Sequence, residues 1–280
     1  IEYIVVSYPH LAPLKLINNE VDICELHPGS NDGFLRSQTW LRRTHIRRYK
    51  KFGFTYLVFN VKNSALTSNI RKIFYNTLIT NNFLTQFLDN RGERVFSPFL
   101  LLSHQVERKS HLVYPLQQPL HLKILTNTES KIRKNFILFL IKHMKKLKIH
   151  LDPIFLEYHT FLKYIKNSKF DLAVSGFLLD IDYDMSNILK SSSYFNYANF
   201  MNREMDLLLE KGLQELNAIK RKAIYLKAHK VWLKELPLIP LFNLYYYVGV
   251  SKNIKIPHKT TTLMSAEGDF LLNIEDWIVN

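Results

Sequence analysis

Between Leu120 and Val174 the spacing of the apolar residues changes repeatedly, and this alternation restricts the chain to few architectures. "LHLKILT", Leu120 to Thr126, is a short strand-like run. In the "KIRKNFILFLIKHMKKLKIH" that follows, Ile132, Phe136, Phe139, Leu140 and Leu147 fall near one helical face, with Lys134, Lys142, Lys145 and Lys146 outside it. The pattern then predicts a strand at Ile149 to Phe155, a helix at Tyr158 to Ile165 and a strand at Phe170 to Val174. Strands alternating with helices in this way imply an α/β sheet covered by helices.

The flanking segments extend the scheme. "IEYIVVS" alternates into an apolar run and reads as a strand. "HLAPLKLINNEVDICEL" reads as a short helix, a turn at Asn18-Asn19 and a strand over Val21 to Leu26. "GFTYLVFNVKN" is rich in aromatic and β-branched residues and reads as a strand ending at Asn60. "SNIRKIFYNTLITNNFLTQFL" sets Ile70, Ile73, Phe74 and Leu78 at helical spacing behind a Ser/Asn start signal. Met205 to Leu236 reads as one long helical region ended by Pro237 and Pro240, before the aromatic strand "PLFNLYYYVGVS".

At 280 residues and 47% apolar content the chain can bury one large core or two ordinary ones. The single cysteine, Cys24, excludes an intrachain disulfide and a Cys-based structural zinc site. No apolar run approaches the roughly 18 residues that span a bilayer; the longest candidate is "FILFLI", Phe136 to Ile141. The first residue is Ile1 rather than Met, so a fragment that has lost any export signal is expected. The net charge of +14 raises nucleic acid as a partner. The densest basic cluster is "RRTHIRRYKK", Arg42 to Lys51. Neither it nor the lysines of Lys131 to Lys148 comes with a zinc-finger spacing, an RNP-type motif or a helix-turn-helix, and no nucleic acid is expected.

The chemistry-bearing motifs are few. Asp180, Asp182 and Asp184 alternate like the start of a calcium loop, but Met185 and Ser191 stand where the loop needs Gly and a bidentate Glu. A polar loop whose Asp side chains satisfy turn amides is the simpler reading. Cys24, Glu25 and His27 lie close in sequence, yet strand alternation puts Cys24 and Leu26 on one face and Glu25 and His27 on the other. There is no Gly-x-Ser-x-Gly elbow, no His-x-x-x-His and no Walker motif, with only 8 glycines available. A hydrolase working through the aspartates lacks a general-acid partner or ligand set at a convincing spacing.

Five segments, in order, resemble one family: the extracytoplasmic solute-binding proteins of peptide and nickel ABC importers, of the oligopeptide- and dipeptide-binding class (family 5). "LAPLKLINNEVDI" resembles the family's helix and Gly-Glu-Val-Asp-Ile-like strand, with Asn19 in place of Gly. "GFTYLVFNVKNSALTSNIRKIFYNTL" is similar to its Tyr-Leu-x-Phe-Asn block, carried by Tyr56, Leu57, Phe59, Asn60 and Arg71. "KFDLAVSGFLLDIDYD" resembles its Phe-Asp and Trp-x-x-Asp-Tyr-x-Asp block, and "NFMNREMDLLLEKGL" its Asn-Pro-Glu-x-Asp block, with Arg203 at the Pro position. "RKAIYLKAHKVWLKELPLIPLF" resembles the helix that ends in Pro-x-x-Pro-Leu.

The resemblance implies an α/β, two-lobed periplasmic-binding-protein-like fold (type II) with the N-terminal part of the first lobe missing. The lobes are expected at 1–105 with 245–280, and at 106–244. An incomplete first lobe would expose a sheet edge or apolar surface unless a partner chain carrying the missing portion completes it. By the same resemblance the protein is no enzyme, needs no cofactor, captures a peptide between its lobes and delivers it to ABC membrane subunits. Its expected location is periplasmic or otherwise extracytoplasmic, membrane-associated through a lost N-terminal signal or lipid anchor, as in a lipoprotein. Carried over by position, Asp180 pairs with the peptide α-ammonium, or Asp182 does so because the loop is a residue longer. Phe177 takes the aromatic position, and Ser175, Gly176, Phe177 and Leu178 supply backbone contacts. Asn60 and Arg71 match family positions with a structural role, and nickel chelates and other solutes stay open as cargo. The alternative is a solute-sensing domain of a cytoplasmic transcriptional regulator.

Overall fold

A computed structural model describes residues 2–6, 8, 11–26, 42–79, 83–102, 113–178, 184–256, 263–264, 271 and 274–279. The elements begin α1 (Ala12–Ile17), β1 (Ile23–Leu26), β2 (Thr44–Lys51), β3 (Gly53–Phe59), α2 (Ser68–Ile79), α3 (Phe83–Leu88) and β4 (Gly92–Arg94). They continue through β5 (Leu120–Asn127), α4 (Lys131–Met144), β6 (Ile149–Leu156), α5 (Tyr158–Lys166), β7 (Leu172–Leu178) and α6 (Ser186–Leu189). Helices α7 (Arg203–Gln214) and α8 (Ala218–Glu235) follow, then β8 (Leu238–Ser251), β9 (Ile254–Lys255), β10 (Leu263–Met264) and β11 (Ile278–Val279).

Two compact units result, Gly53–Phe242, and Ile1–Phe52 with Asn243–Asn280. β3 pairs antiparallel with β7 over its whole length, from Gly53 opposite Leu178 to Phe59 opposite Leu172. Its hydrogen bonds tie the segment after Phe52 to the Gly53–Phe242 unit.

In that unit β7 is flanked by β3 and, in parallel, by β5, which pairs in parallel with β6 along its length. The first residues of β8 lie antiparallel on the far side of β3, with Pro240 opposite Tyr56 at a register shift. A bulge is where a residue without an N–H donor is tolerated. Every residue of β3 is buried, so it reads as a continuous apolar run rather than an alternating one. Phe87 of α3 packs on Phe136 of α4 and Phe242 of β8 at ring separations of 5.5 and 5.7 Å. Trp232 of α8 is fully buried, meets Tyr75 edge-on at 5.9 Å and donates its indole N–H to the Leu238 carbonyl at 2.9 Å.

The other unit is built around residues 245–251 of β8, with β1 antiparallel on one edge and β2 antiparallel on the other. Tyr49, Tyr246, Val248, Val250, Ile254 and Ile256 form one core cluster and Leu16, Cys24 and Leu26 a second. The basic run Arg42 to Lys51 is mostly strand here. Arg47 donates to the Ile256 carbonyl at 3.0 Å, and the Arg48 guanidinium stands 4.4 Å from the Tyr245 ring centre.

Two expected elements are corrected. Residues 2–6 carry no regular structure, and Tyr3 and Val5 are exposed at 76% and 92%. An apolar alternation becomes a strand only where a neighbour takes its backbone groups, and among the described residues none does. The helical region expected over Met205 to Leu236 is divided into two helices. Asn217 accepts from the Ile219 and Lys220 amides and restarts the chain as α8, just as Asn202 starts α7 by accepting from Met205.

His229, 6% exposed, gives the Gly53–Phe242 unit a measurable pH dependence. Ser97 Oγ accepts from the Phe99 amide and is hydrogen-bonded to His229 Nδ1, 2.9 Å away. Burial pulls the imidazole pKa from 6.5 down to about 4. The folded form then resists a proton that the unfolded chain accepts. Stability is full above 6.5 and falls as pH drops toward 4, by up to about 3 kcal/mol from this group. Denaturant titrations from pH 7 to 4 should show a shallower decline for His229→Gln than for the parent.

Candidate functional site

The C-terminal half of β7 is a strand with one edge taken and one open. Ser175, Gly176, Phe177 and Leu178 pair with Tyr56, Thr55, Phe54 and Gly53 on the β3 side. On the other side β5 pairs only with Leu172 and Ala173. Beyond them the Thr126 hydroxyl donates to the Val174 carbonyl at 2.9 Å, a side chain standing in where the strands diverge. No strand among the described residues pairs with the second edge of Ser175 to Leu178. A row of unpaired amides and carbonyls of this kind accepts an extended chain.

Gly53 allows β3 to run to the end of β7. Its φ is +146°, and a Cβ there would lie 2.2 Å from the Phe177 carbonyl oxygen. Gly176 makes room for a cation. Arg133, at the start of α4, places Nη2 where a Cβ on Gly176 would be only 2.6 Å away. Its Nη1 donates to Asn127 Oδ1 at 3.0 Å, and Asn127 in turn donates to Glu129 at 2.8 Å. The direct partner of this guanidinium is therefore an amide and not a carboxylate. Burial pulls the Arg133 pKa below its ordinary value, and the Tyr56 and Tyr158 phenols oppose that shift. Sequence reading missed Arg133 because it lies 43 residues before Gly176; "NTES" ahead of a helix was the available sign, a polar cap beside a strand end.

The Phe177 side of β7 is aromatic. Phe177 lies 6.3 Å from Phe195, which neighbours Tyr194 at 5.2 Å and Tyr197 at 6.2 Å. The Lys166 ammonium sits 4.4 Å from the centre of the Tyr194 ring and donates to its hydroxyl. Burial together with the Tyr158 and Tyr194 phenols pushes the Tyr197 pKa up to about 12. The loop carrying these rings is braced by its own polar residues. Asn196 donates to the Lys190 and Phe200 carbonyls and accepts from the Phe200 amide, while Ser193 accepts from the Phe195 amide.

Of the residues expected at the site, Ser175, Gly176, Phe177 and Leu178 share this strand end, whereas Asp180 and Asp182 lie outside the described residues. Asp184 accepts from the Ser186 amide at 2.9 Å, the turn role expected of it. Asn60 donates to the Ser168 and Phe170 carbonyls and accepts from Lys62 and Asn199, clamping the end of β3 to the start of β7. Arg71 donates to the Glu235 and Leu66 carbonyls, a packing role at the end of α8. Cys24 is buried with its thiol pKa pushed up to about 12, a site for packing and not for nucleophilic chemistry. His27 lies outside the described residues. Among the described residues no group of three or more His, Cys, Asp or Glu could hold a metal, and no helix is long and apolar enough to cross a membrane.

The chain is similar in sequence to one curated protein and in fold to several solved structures. The periplasmic oligopeptide-binding protein OppA of Escherichia coli (strain K12) is 27% identical over 138 residues, 49% of this chain and 25% of OppA. The chain is homologous to OppA over that stretch. The substrate-binding protein CtaP of Listeria monocytogenes superposes with a TM-score of 0.80 at 17% identity, over 98% of this chain and 59% of CtaP. The oligopeptide-binding protein AppA of Bacillus subtilis, solved with a nonapeptide, gives 0.72 at 16% identity, over 99% of this chain and 59% of AppA. The fold is thus that of the two-lobed periplasmic binding proteins. The chain spans about three-fifths of the length of these solved relatives. No protein-family model matches the sequence.

The two glycines make separable predictions. Gly53→Ala forces a Cβ onto backbone at a positive φ and should cost at least about 2 kcal/mol. Gly176→Ala meets only the end of the Arg133 side chain, and should cost less than about 1 kcal/mol. Urea denaturation of both variants checks the order; equal costs would mean that backbone approach at Gly53 is not the constraint.

Proposed function

We propose that the protein is the ligand-capturing component of an ABC importer, working at the extracytoplasmic face without chemistry of its own, and that its ligand is a short peptide. The observation that carries this reading is the open backbone edge of Ser175 to Leu178, which hydrogen-bonds any extended chain regardless of its side chains. Asp180, two residues past the end of β7, takes the peptide α-ammonium, with Asp182 as its substitute. Arg133, beside Gly176 and hydrogen-bonded through its guanidinium to the Asn127 amide among the described residues, takes the carboxylate at the other end. OppA and AppA are oligopeptide-binding proteins by name, in keeping with this ligand class.

Calorimetry on the intact protein tests the two anchors separately. N-acetylation of a tripeptide, or Asp180→Asn, should weaken binding by roughly 2 kcal/mol or more. C-terminal amidation should do the same in the parent and cost nothing further in Arg133→Gln. Equal affinity for free and acetylated peptides removes Asp180 from this role; an amidation penalty that survives in Arg133→Gln removes Arg133.

A further inference from the structure

A ligand strand laid along Ser175 to Leu178 turns its side chains alternately to the two faces of β7, and those faces differ chemically. The Gly176 face offers the Arg133 guanidinium, and the Phe177 face offers the rings of Phe177, Phe195, Tyr194 and Tyr197. Phe195 is 40% and Tyr194 67% exposed, so neither ring is used up in the core. Both are nonetheless held in place. Ser193 donates to the Asn187 carbonyl while accepting from the Phe195 amide, Asp206 accepts from the Ser191 amide, and Lys166 engages Tyr194 from below. Exposed aromatic rings fixed by a shell of hydrogen bonds lose little entropy when a ligand covers them. Their packing on one another is edge-on or tilted, which leaves ring faces for a further partner.

We propose that the loop carrying Tyr194, Phe195 and Tyr197 is a specificity element that, with Phe177, selects peptides bearing an aromatic side chain at one position. The inference rests on the peptide-binding reading above and refines it: backbone pairing admits any sequence, and this platform ranks the sequences admitted. Cationic side chains are poorer occupants, because Lys166 already holds the Tyr194 ring and Arg133 stands nearby on the strand's other face. Tyr194 is the outer rim and Phe195 the centre, since Phe195 alone contacts all three of the other rings.

The test is calorimetry of the intact protein with tri-alanine and its three single-phenylalanine derivatives. One derivative should bind about five- to tenfold more tightly than tri-alanine, as expected for an aromatic contact with its burial. Phe195→Ala should bring that derivative and tri-alanine to the same affinity, and Phe195→Tyr should keep them apart. Thermal unfolding of each variant separates this from loss of fold; if Phe195→Ala melts early, Phe195→Leu, which keeps the volume and removes the ring, is read instead. Three derivatives within twofold of tri-alanine overturn the proposal, as does a preference that survives loss of the ring. Failure to bind any of the four peptides overturns the peptide reading itself and this inference with it.

Discussion

The pairing of β3 with β7 sets the rest of the structure. Seven residues face seven in an unbroken antiparallel register, all of β3 is buried, and the only concession to geometry is Gly53 at the end of the strand. Because β3 runs to Leu178 while β5 stops at Ala173, β7 projects past one neighbour and is supported by the other. A strand end held on one side alone is ordinarily a liability, exposing backbone groups that invite association. Here it sits beside a guanidinium, an aromatic loop and, in sequence, an acidic loop, and in the proposed reading the same groups receive a ligand chain.

Several residues that carry the family resemblance serve this pairing rather than the site. Asn60 uses its amide and its carbonyl to join the residues after β3, before β7 and in the loop at Asn199. Asp171, next to β7, accepts from the Asn63 side chain and from the Lys123 amide of β5, adding a third strand to the clamp. Each buried polar group has a partner on a different element, and removing one leaves the others unsatisfied at a cost of about 1–3 kcal/mol. Residues that carry a family resemblance can therefore serve the scaffold that aims a site and say nothing of contact with ligand.

The sequence was legible where period and length agreed. From Leu120 to Val174 the alternation of strand and amphipathic helix gave elements that the structure places within a few residues, β7 alone running four residues further. It was illegible where an element depends on something distant. Residues 2–6 have a strand's composition and no strand partner among the described residues. β2, full of Arg and Lys, is a strand because β8 supplies one. The break between α7 and α8 was readable in principle from Asn217, whose side chain competes for amides, but the apolar periodicity on both sides concealed it. The site divides in the same way. Ser175 to Leu178 followed from a block of sequence, whereas Arg133 and Phe195 reach β7 only through the packing of α4 and of the loop after α6.

Arg133 also shows how charge is used in so basic a chain. A surface lysine costs nothing to keep, being solvated on every side. A half-buried guanidinium held by one amide and facing phenols has given up hydration without gaining a carboxylate, and burial draws its pKa down accordingly. Supplying the missing acid from within, at Asn127 for instance, would stabilise the empty protein and neutralise the charge. Relaying the acid one step back, from Glu129 through Asn127, orients the guanidinium without a direct carboxylate partner among the described residues. In the proposed reading the ligand completes that electrostatic pair. Part of the free energy of binding is then stabilisation that the fold has forgone, and the basic surface elsewhere on the chain contributes nothing to it.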